Sequence, residues 1–318
     1  NPFAASGVAM PAAKCFGLSD RGGNLGAVWP TGKLLWSMET QNKGAKLMSP
    51  VPVKGVVYYS GSNELVAVDA QSGRKLYSVA LEGDRSHVLG NRVVPFADFI
   101  AFPTMAGLDI MDPRTGTVLR SIPVPDGTMM SPANYEGMAA IVNQKGVFML
   151  IDLASGELRA QVQTGARQPV ALAPRIYGSL ACFADRKGLL VMVDLSTMSV
   201  AWERALPVQG GVFSDVEIGP EGVVAYAKQT VFAYRLDGNP ILEPIRGVSA
   251  PPLMSRGVLY YGTEDGFLVA LRLSPPGEIG RIALGAKLSA RPLFADGALF
   301  VGTAAGKLLK VDPAKIAP

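Results

Sequence analysis

Histidine and cysteine are nearly missing from this chain, with one His and two Cys in 318 residues. A single His excludes His-rich metal centres, and two Cys exclude a disulfide scaffold and Cys-rich metal sites. No run of about 18 apolar residues occurs, which excludes a membrane-spanning helix. Charge is sparse, 18% of residues against 48% hydrophobic, which excludes a disordered chain. No basic start followed by an apolar stretch is read, so no signal peptide is expected in this chain. Export and a cytoplasmic location both stay open on that ground. What is abundant is turn formers, 36 Gly and 24 Pro.

The turn formers recur with a period. Gly55-Val56-Val57-Tyr58-Tyr59-Ser60-Gly61 is followed by Leu65-Val66-Ala67-Val68-Asp69 and Ser72-Gly73-Arg74-Lys75-Leu76-Tyr77. Near the other end stand Gly297-Ala298-Leu299-Phe300-Val301-Gly302-Thr303 and Leu308-Leu309-Lys310-Val311-Asp312. Further copies open at Gly137 and Gly257, and weaker ones at Asp98, Gly178 and Gly222. The period is about 40 residues, and each copy reads as four short strands separated by Gly turns. Repeats of this kind predict an all-β fold, a seven-bladed β-propeller of four-stranded antiparallel blades. The last copy stops at its third strand. Gly32-Lys33-Leu34-Leu35-Trp36-Ser37-Met38 matches the outer-strand phrase Gly73-Arg74-Lys75-Leu76-Tyr77-Ser78-Val79. Residues 32–39 are therefore expected to complete the last blade and close the ring. Residues 1–31 are expected to be an N-terminal extension packed on a single propeller domain of residues 32–318. Eight blades is the alternative, with residues 1–31 supplying strands that the pattern does not reveal.

The repeated phrase, Gly-Val-Val-Tyr, then Leu-x-Ala-x-Asp, then Ser-Gly and an aromatic, resembles the quinoprotein-like (PQQ-repeat) propeller family. That resemblance covers roughly residues 32–312. It implies a propeller, and it embraces two kinds of function: quinoprotein alcohol dehydrogenases and a non-enzymatic lipoprotein propeller of the bacterial outer-membrane β-barrel assembly machinery. Members commonly have eight blades where seven copies are counted here. The vicinal Cys-Cys pair of the quinoprotein enzymes is missing, and outer-strand Trp occurs only at Trp36 and Trp202, with Tyr77 in a third place. The Gly-His and Trp-Asp signatures of WD-repeat propellers are absent.

Candidate chemical residues each have a structural reading beside the functional one. Asp69, Asp112, Asp152, Asp194 and Asp312 close third strands ahead of turns, where an Asp accepts from backbone N–H groups two or three residues on. Arg235 and Arg272 replace it in two copies, which are expected to be irregular. Pro50, Pro132, Pro252 and Pro292 mark inner-strand starts, where a missing donor is tolerated. Cys182 sits in an apolar strand as a small hydrophobe, and a Cys15–Cys182 bridge is left open. His87 lies in a loop beside Glu82 and Asp84, without the nucleophile elbow or ligand spacing that catalysis needs.

Loops between blades gather at the channel mouth in a propeller. Here they carry Lys46, Arg92, Arg167, Arg246 and Lys287, with few acids. A basic mouth would attract acidic segments of a protein partner. No Lys/Arg cluster interleaves with aromatics, so nucleic acid is not expected. The reading is a monomeric, non-catalytic interaction scaffold without cofactor or metal, exported to the bacterial periplasm or envelope as the resemblance implies. A small-anion or carbohydrate-binding propeller and a quinoprotein-type oxidoreductase are the alternatives.

Overall fold

The computed structural model describes residues 6–10, 15–19, 24–28, 34–39, 50–60, 64–81, 93–128, 130–167, 173–208 and 213–316. Among these the regular structure is all β apart from a 3-10 turn at Pro313–Lys315. The chain divides into two compact units, Pro2–Pro174 and Arg175–Pro318 with Asn1.

The first unit holds four antiparallel sheets, each a four-stranded meander. They are β1 (Ser6–Met10), β2 (Cys15–Ser19), β3 (Asn24–Val28) and β4 (Leu34–Glu39); β5 (Val51–Val53), β6 (Val56–Ser60), β7 (Glu64–Asp69) and β8 (Lys75–Ala80); β9 (Val94–Pro95), β10 (Ile100–Pro103), β11 (Gly107–Met111) and β12 (Val118–Pro123); and β13 (Ala133–Tyr135), β14 (Met138–Val142), β15 (Val147–Asp152) and β16 (Leu158–Gln163). The second unit holds β17 (Arg175–Tyr177), β18 (Leu180–Ala184), β19 (Leu189–Asp194) and β20 (Ser199–Ala205); β21 (Phe213–Gly219), β22 (Gly222–Ala227), β23 (Thr230–Tyr234) and β24 (Ile245–Arg246); β25 (Leu253–Ser255), β26 (Val258–Gly262), β27 (Phe267–Leu273) and β28 (Pro276–Ala283); and a three-stranded sheet, β29 (Leu293–Ala295), β30 (Ala298–Gly302) and β31 (Leu308–Val311).

These sheets are the blades of a β-propeller. Seven have four strands, as the seven-bladed reading requires, and the three-stranded sheet makes eight in all, the alternative count. Sheets packed face to face bury both faces of their middle strands, so β6, β7, β14, β15, β18, β19 and β22 read as continuous apolar runs with nearly every residue buried. Outer strands have one wet face and alternate, as in β8 and β16. The packing is interdigitated from sheet to sheet: Tyr58, Leu65 and Ala67 of one blade meet Ile100, Phe102 and Met111 of the next.

Local chemistry explains the turns. Between the first two strands the hairpin Lys54-Gly55 has positive φ at both residues, 45° and 84°, the type I′ geometry that matches strand twist. Glu136-Gly137, Arg256-Gly257 and Asp296-Gly297 repeat it. Pro50, Pro132, Pro252 and Pro292 each stand one residue before an inner strand, as expected. Third and fourth strands share a β-bulge at one place in six sheets: after Ala27, Ala67, Ile110, Leu150, Met192 and Ala270. The skipped outer-strand residue, Leu76 or Leu119, points to water. The two copies expected to be irregular are so. The fourth strand β24 has two residues, and β27 runs into β28 across a cis Ser274–Pro275 bond.

Two expectations about the N-terminus are corrected. Residues 34–39 do not lie beside Leu308–Val311; β4 pairs with β3 through Ala27↔Trp36 and Asn24↔Glu39. Residues 6–28, read as an extension without a strand pattern, form three strands of that same sheet. Runs such as Ser6-Gly7-Val8-Ala9-Met10 carry too much Gly and Ala to look like strands. Pairing with a neighbour overrides that weak propensity.

Candidate functional site

The strand-end aspartates are consumed by their own turns. Asp69 Oδ1 accepts from the Ser72 N–H at 2.7 Å and from the Ser72 hydroxyl at 2.7 Å. Asp112 accepts from the Arg114 N–H, Asp152 from Ala154 and Ser155, Asp194 from Ser196 and Asp312 from Ala314. The hydrogen bonds to Ser72 hold Asp69 below the usual carboxylate range. Arg159 and the Ser155 and Ala154 N–H groups lower Asp152 to about 2. These carboxylates serve as caps of their own turns.

A second set of caps closes the turn between second and third strands, which sequence reading missed. Thr104 Oγ1 accepts from Gly107 N–H at 3.0 Å, Asn143 Oδ1 from Val147 at 2.9 Å, Asp185 Oδ1 from Leu189 at 2.8 Å, Thr263 Oγ1 from Phe267 at 3.0 Å and Thr303 Oγ1 from Lys307 at 3.3 Å. The signal was present as a Thr, Asn or Asp three residues before Gly107, Gly146, Gly188, Gly266 and Gly306.

One outer-strand position joins neighbouring blades. Trp36 Nε1 donates to Ala70 O at 3.0 Å, Tyr77 OH to Pro113 O at 3.2 Å, and Trp202 Nε1 to Leu236 O at 2.8 Å. Arg120 does the same at Leu153 O. Each acceptor follows the residue that closes the next blade's third strand. Gly73 (φ 72°) lies under the Trp36 ring, where an added Cβ would come within 2.5 Å of ring carbons. The Gly is needed both for its positive φ and for that close approach.

The polar cluster that belongs to no turn lies on inner strands of the second unit. Arg175 begins β17, Asp215 and Glu217 are on β21, and Arg291 precedes β29. Arg291 donates to Asp215 Oδ2 at 2.8 Å and pairs with Glu217. Arg175 Nε donates to Val216 O at 3.1 Å, and its guanidinium pairs with Asp215 at 3.4 Å. The Met254 N–H donates to Glu217 Oε2 at 2.6 Å, so β25 joins the cluster. The Asp215 side chain is 13% exposed and that of Arg291 26%. Burial works against the Arg291 charge and lowers its pKa, while Asp215 supports it and Arg175 opposes it. Two cations meet two anions, so the cluster ties several blades together without a net charge. No sequence signal marks these four residues, because they are brought close by topology and not by spacing.

Of the five residues expected to form a basic mouth, three fall among the described residues. Lys46 and Arg92 lie outside the described residues, as does His87. Arg167 is exposed in the first unit, and Arg246 is exposed at the end of β24. Lys287 is paired with Glu264 at 2.8 Å, and Glu264 also accepts from Gln229. The turns between second and third strands of the second unit carry Arg186, Lys187, Lys228 and Lys307 with Asp185, Glu264 and Asp265. Cys182 is a free, fully buried thiol, its pKa pushed up by burial. Among the described residues no three His, Cys, Asp or Glu side chains gather as metal ligands, and no helix is long and apolar enough to cross a membrane.

Residues 21–274 match the family described as outer membrane protein assembly factor BamB. The chain belongs to this family. Two solved structures share the family's fold with it. One is BamB from Moraxella catarrhalis, with 17% identity and a TM-score of 0.69 over 93% of this chain and 91% of that one. The other is the computationally designed Ika8 protein, with 14% identity and a TM-score of 0.76 over 98% and 96% of the two chains. No curated protein matches the sequence. At these identities the likeness speaks for the fold, and the BamB-family propeller has to be interpreted from its own residues.

Proposed function

We propose that the chain is a non-catalytic interaction scaffold of the bacterial cell envelope, acting in outer-membrane protein assembly. The observation that carries this reading is how its charge is disposed. The strand-end aspartates are tied into turns, and the inner-strand charges pair off as Arg175–Asp215 and Arg291–Asp215–Glu217. Charges engaged in this way hold turns and blades together. The exposed cations instead stand on loops and turns, where they suit contact with another macromolecule. The family's assembly-factor description supports the same assignment, and with it a periplasmic location.

In this reading Lys46, Arg92, Arg167, Arg246 and Lys287 are the basic residues that steer acidic segments of a protein partner. Exposed pairs are each worth about 0–1 kcal/mol, so these residues act through their summed field on the association rate. The test has two parts. Loss of the protein from its bacterium should lower the amount of folded β-barrel protein in the outer membrane. Reversing Arg167 and Arg246 to Glu together should slow capture of the chain by purified assembly machinery about tenfold at low salt, with the difference fading as salt rises. Unchanged barrel levels would overturn the envelope role. Equal on-rates for wild type and the double reversal would overturn the steering.

A further inference from the structure

One turn of the second unit is built against local preference. Between second and third strands its other sheets close the turn with Gly188, Gly266 or Gly306, each at positive φ. Between β22 and β23 the turn is Lys228-Gln229, with φ of 44° and 60° and no Gly. A two-residue hairpin of this shape favours Asn and Gly, because positive φ is costly for a residue with a larger side chain. Contacts from other blades hold it. Gln229 O accepts from the Val248 N–H at 2.9 Å, and Gln229 Nε2 donates to Glu264 Oε1 at 3.1 Å. Glu264 is the common partner. Its Oε2 accepts from Lys287 Nζ at 2.8 Å, and its N–H donates to Gly247 O at 3.0 Å. Lys228 adjoins Gln229, and Arg246 adjoins Gly247 and lies opposite Thr230; both cations are exposed. Three cations are thus carried on or beside the residues that hold one carboxylate.

We propose that this is a carboxylate seat which the chain fills with its own Glu264. An Asp or Glu in an acidic segment of a partner protein replaces Glu264 on Lys287, and a neighbouring acid of the segment meets Lys228 or Arg246. The internal pair is suited to exchange. Lys287 and Glu264 are 46% and 38% exposed, and a pair so open to water contributes little to stability. The Gln229 amide that now donates to Glu264 is placed to donate to the incoming carboxylate. Backbone strain persists where the surroundings over-determine it, and it concentrates at binding sites. Here it fixes the tip that carries Lys228 and Gln229. The acids that remain select the partner. Glu264 and the exposed Asp265 stay beside the cations and repel a dense polyanion such as nucleic acid, whereas a segment with a few spaced carboxylates fits between them.

This inference rests on the reading that acidic partner segments engage the cations, and its decisive variant, Glu264→Gln, leaves Arg167 and Arg246 in place. The probe is a fluorescent, end-capped Gly-Glu-Ser-Glu-Glu-Gly peptide, titrated into the full chain at low salt. Glu264→Gln releases Lys287 and should tighten binding about three- to fivefold, while Lys287→Gln should weaken it by about the same factor. In the Lys287→Gln background the gain from Glu264→Gln should vanish. Asp265→Asn removes a charge of the same sign next door and should change binding less than about twofold. No gain from Glu264→Gln would overturn the proposal. So would a gain matched by Asp265→Asn or kept without Lys287, because the effect would then be a general one of net charge. Equal binding of the peptide with Gln for Glu, or tighter binding of an oligonucleotide of equal charge, would overturn it as well. Slower capture of the Arg167 and Arg246 double reversal, with no effect of Glu264→Gln, would remove the seat alone and leave the scaffold reading standing.

Discussion

Replacing Arg291 by Leu should cost far more than a surface charge does, and the cost should depend on pH. Arg291 holds Asp215 at 2.8 Å and pairs with Glu217, and these carboxylates are only 13% and 20% exposed. Without the guanidinium, Asp215 keeps Arg175 at 3.4 Å and Glu217 keeps the Met254 N–H at 2.6 Å. Removing one partner of a fully buried pair costs about 3–5 kcal/mol, and the partial exposure here brings that down to about 2–4 kcal/mol. Both carboxylates would then lose their closest cation, which disfavours their charged form in the folded state. A raised carboxylate penalises folding above its folded pKa, and the penalty vanishes below the unfolded one. The gap between variant and wild type in urea denaturation should thus be large at pH 7 and small near pH 4. Adding Asp215→Asn and Glu217→Gln to Arg291→Leu should recover at least half of the loss at pH 7, since no buried charge is then left without a partner. A single variant within about 0.5 kcal/mol of wild type at pH 7, or a loss equal at both pH values, would refute the argument, because either result means the cluster is solvated like a surface pair.

Gly73→Ala should destabilise the first unit by about 1–2 kcal/mol from its positive φ alone, with a further loss as the Trp36 ring is displaced. The Trp36 environment, read by fluorescence, should change with it. Trp36→Phe keeps most of the apolar area but loses the bond to Ala70 O, a loss of about 1 kcal/mol, checked by denaturant midpoint. Asp152 should titrate at about 2 in carbon-detected NMR and move up toward the ordinary range in Arg159→Ala, because the arginine is the first cause of the depression. A depressed carboxylate contributes stability above its unfolded pKa and loses it as pH falls through the folded value, so the effect of Arg159→Ala should be confined to pH above about 2. Cys182 should not react with a thiol reagent in the native chain and should react fully in urea, since the thiol is buried and its pKa is raised.

Local rules wrote much of this fold into the chain. The Asp-x-x-Ser/Thr-Gly turns, the prolines before inner strands and the Gly hairpins act within four or five residues, and they hold at Asp69, Pro50 and Gly55 alike. So does the irregularity announced by Arg235 and Arg272. Strand pairing at the N-terminus was not legible, because Ser6–Met10 and Cys15–Ser19 have little propensity of their own and are strands only through their neighbours. Tertiary structure alone assembled Arg175, Asp215, Glu217 and Arg291, since a repeat of about 40 residues brings side chains from separate copies together without any spacing that marks them. The same holds for Leu308. Its sequence context is that of Leu65, yet Leu308 is 42% exposed where Leu65 is buried, because among the described residues no strand pairs with the outer side of β31.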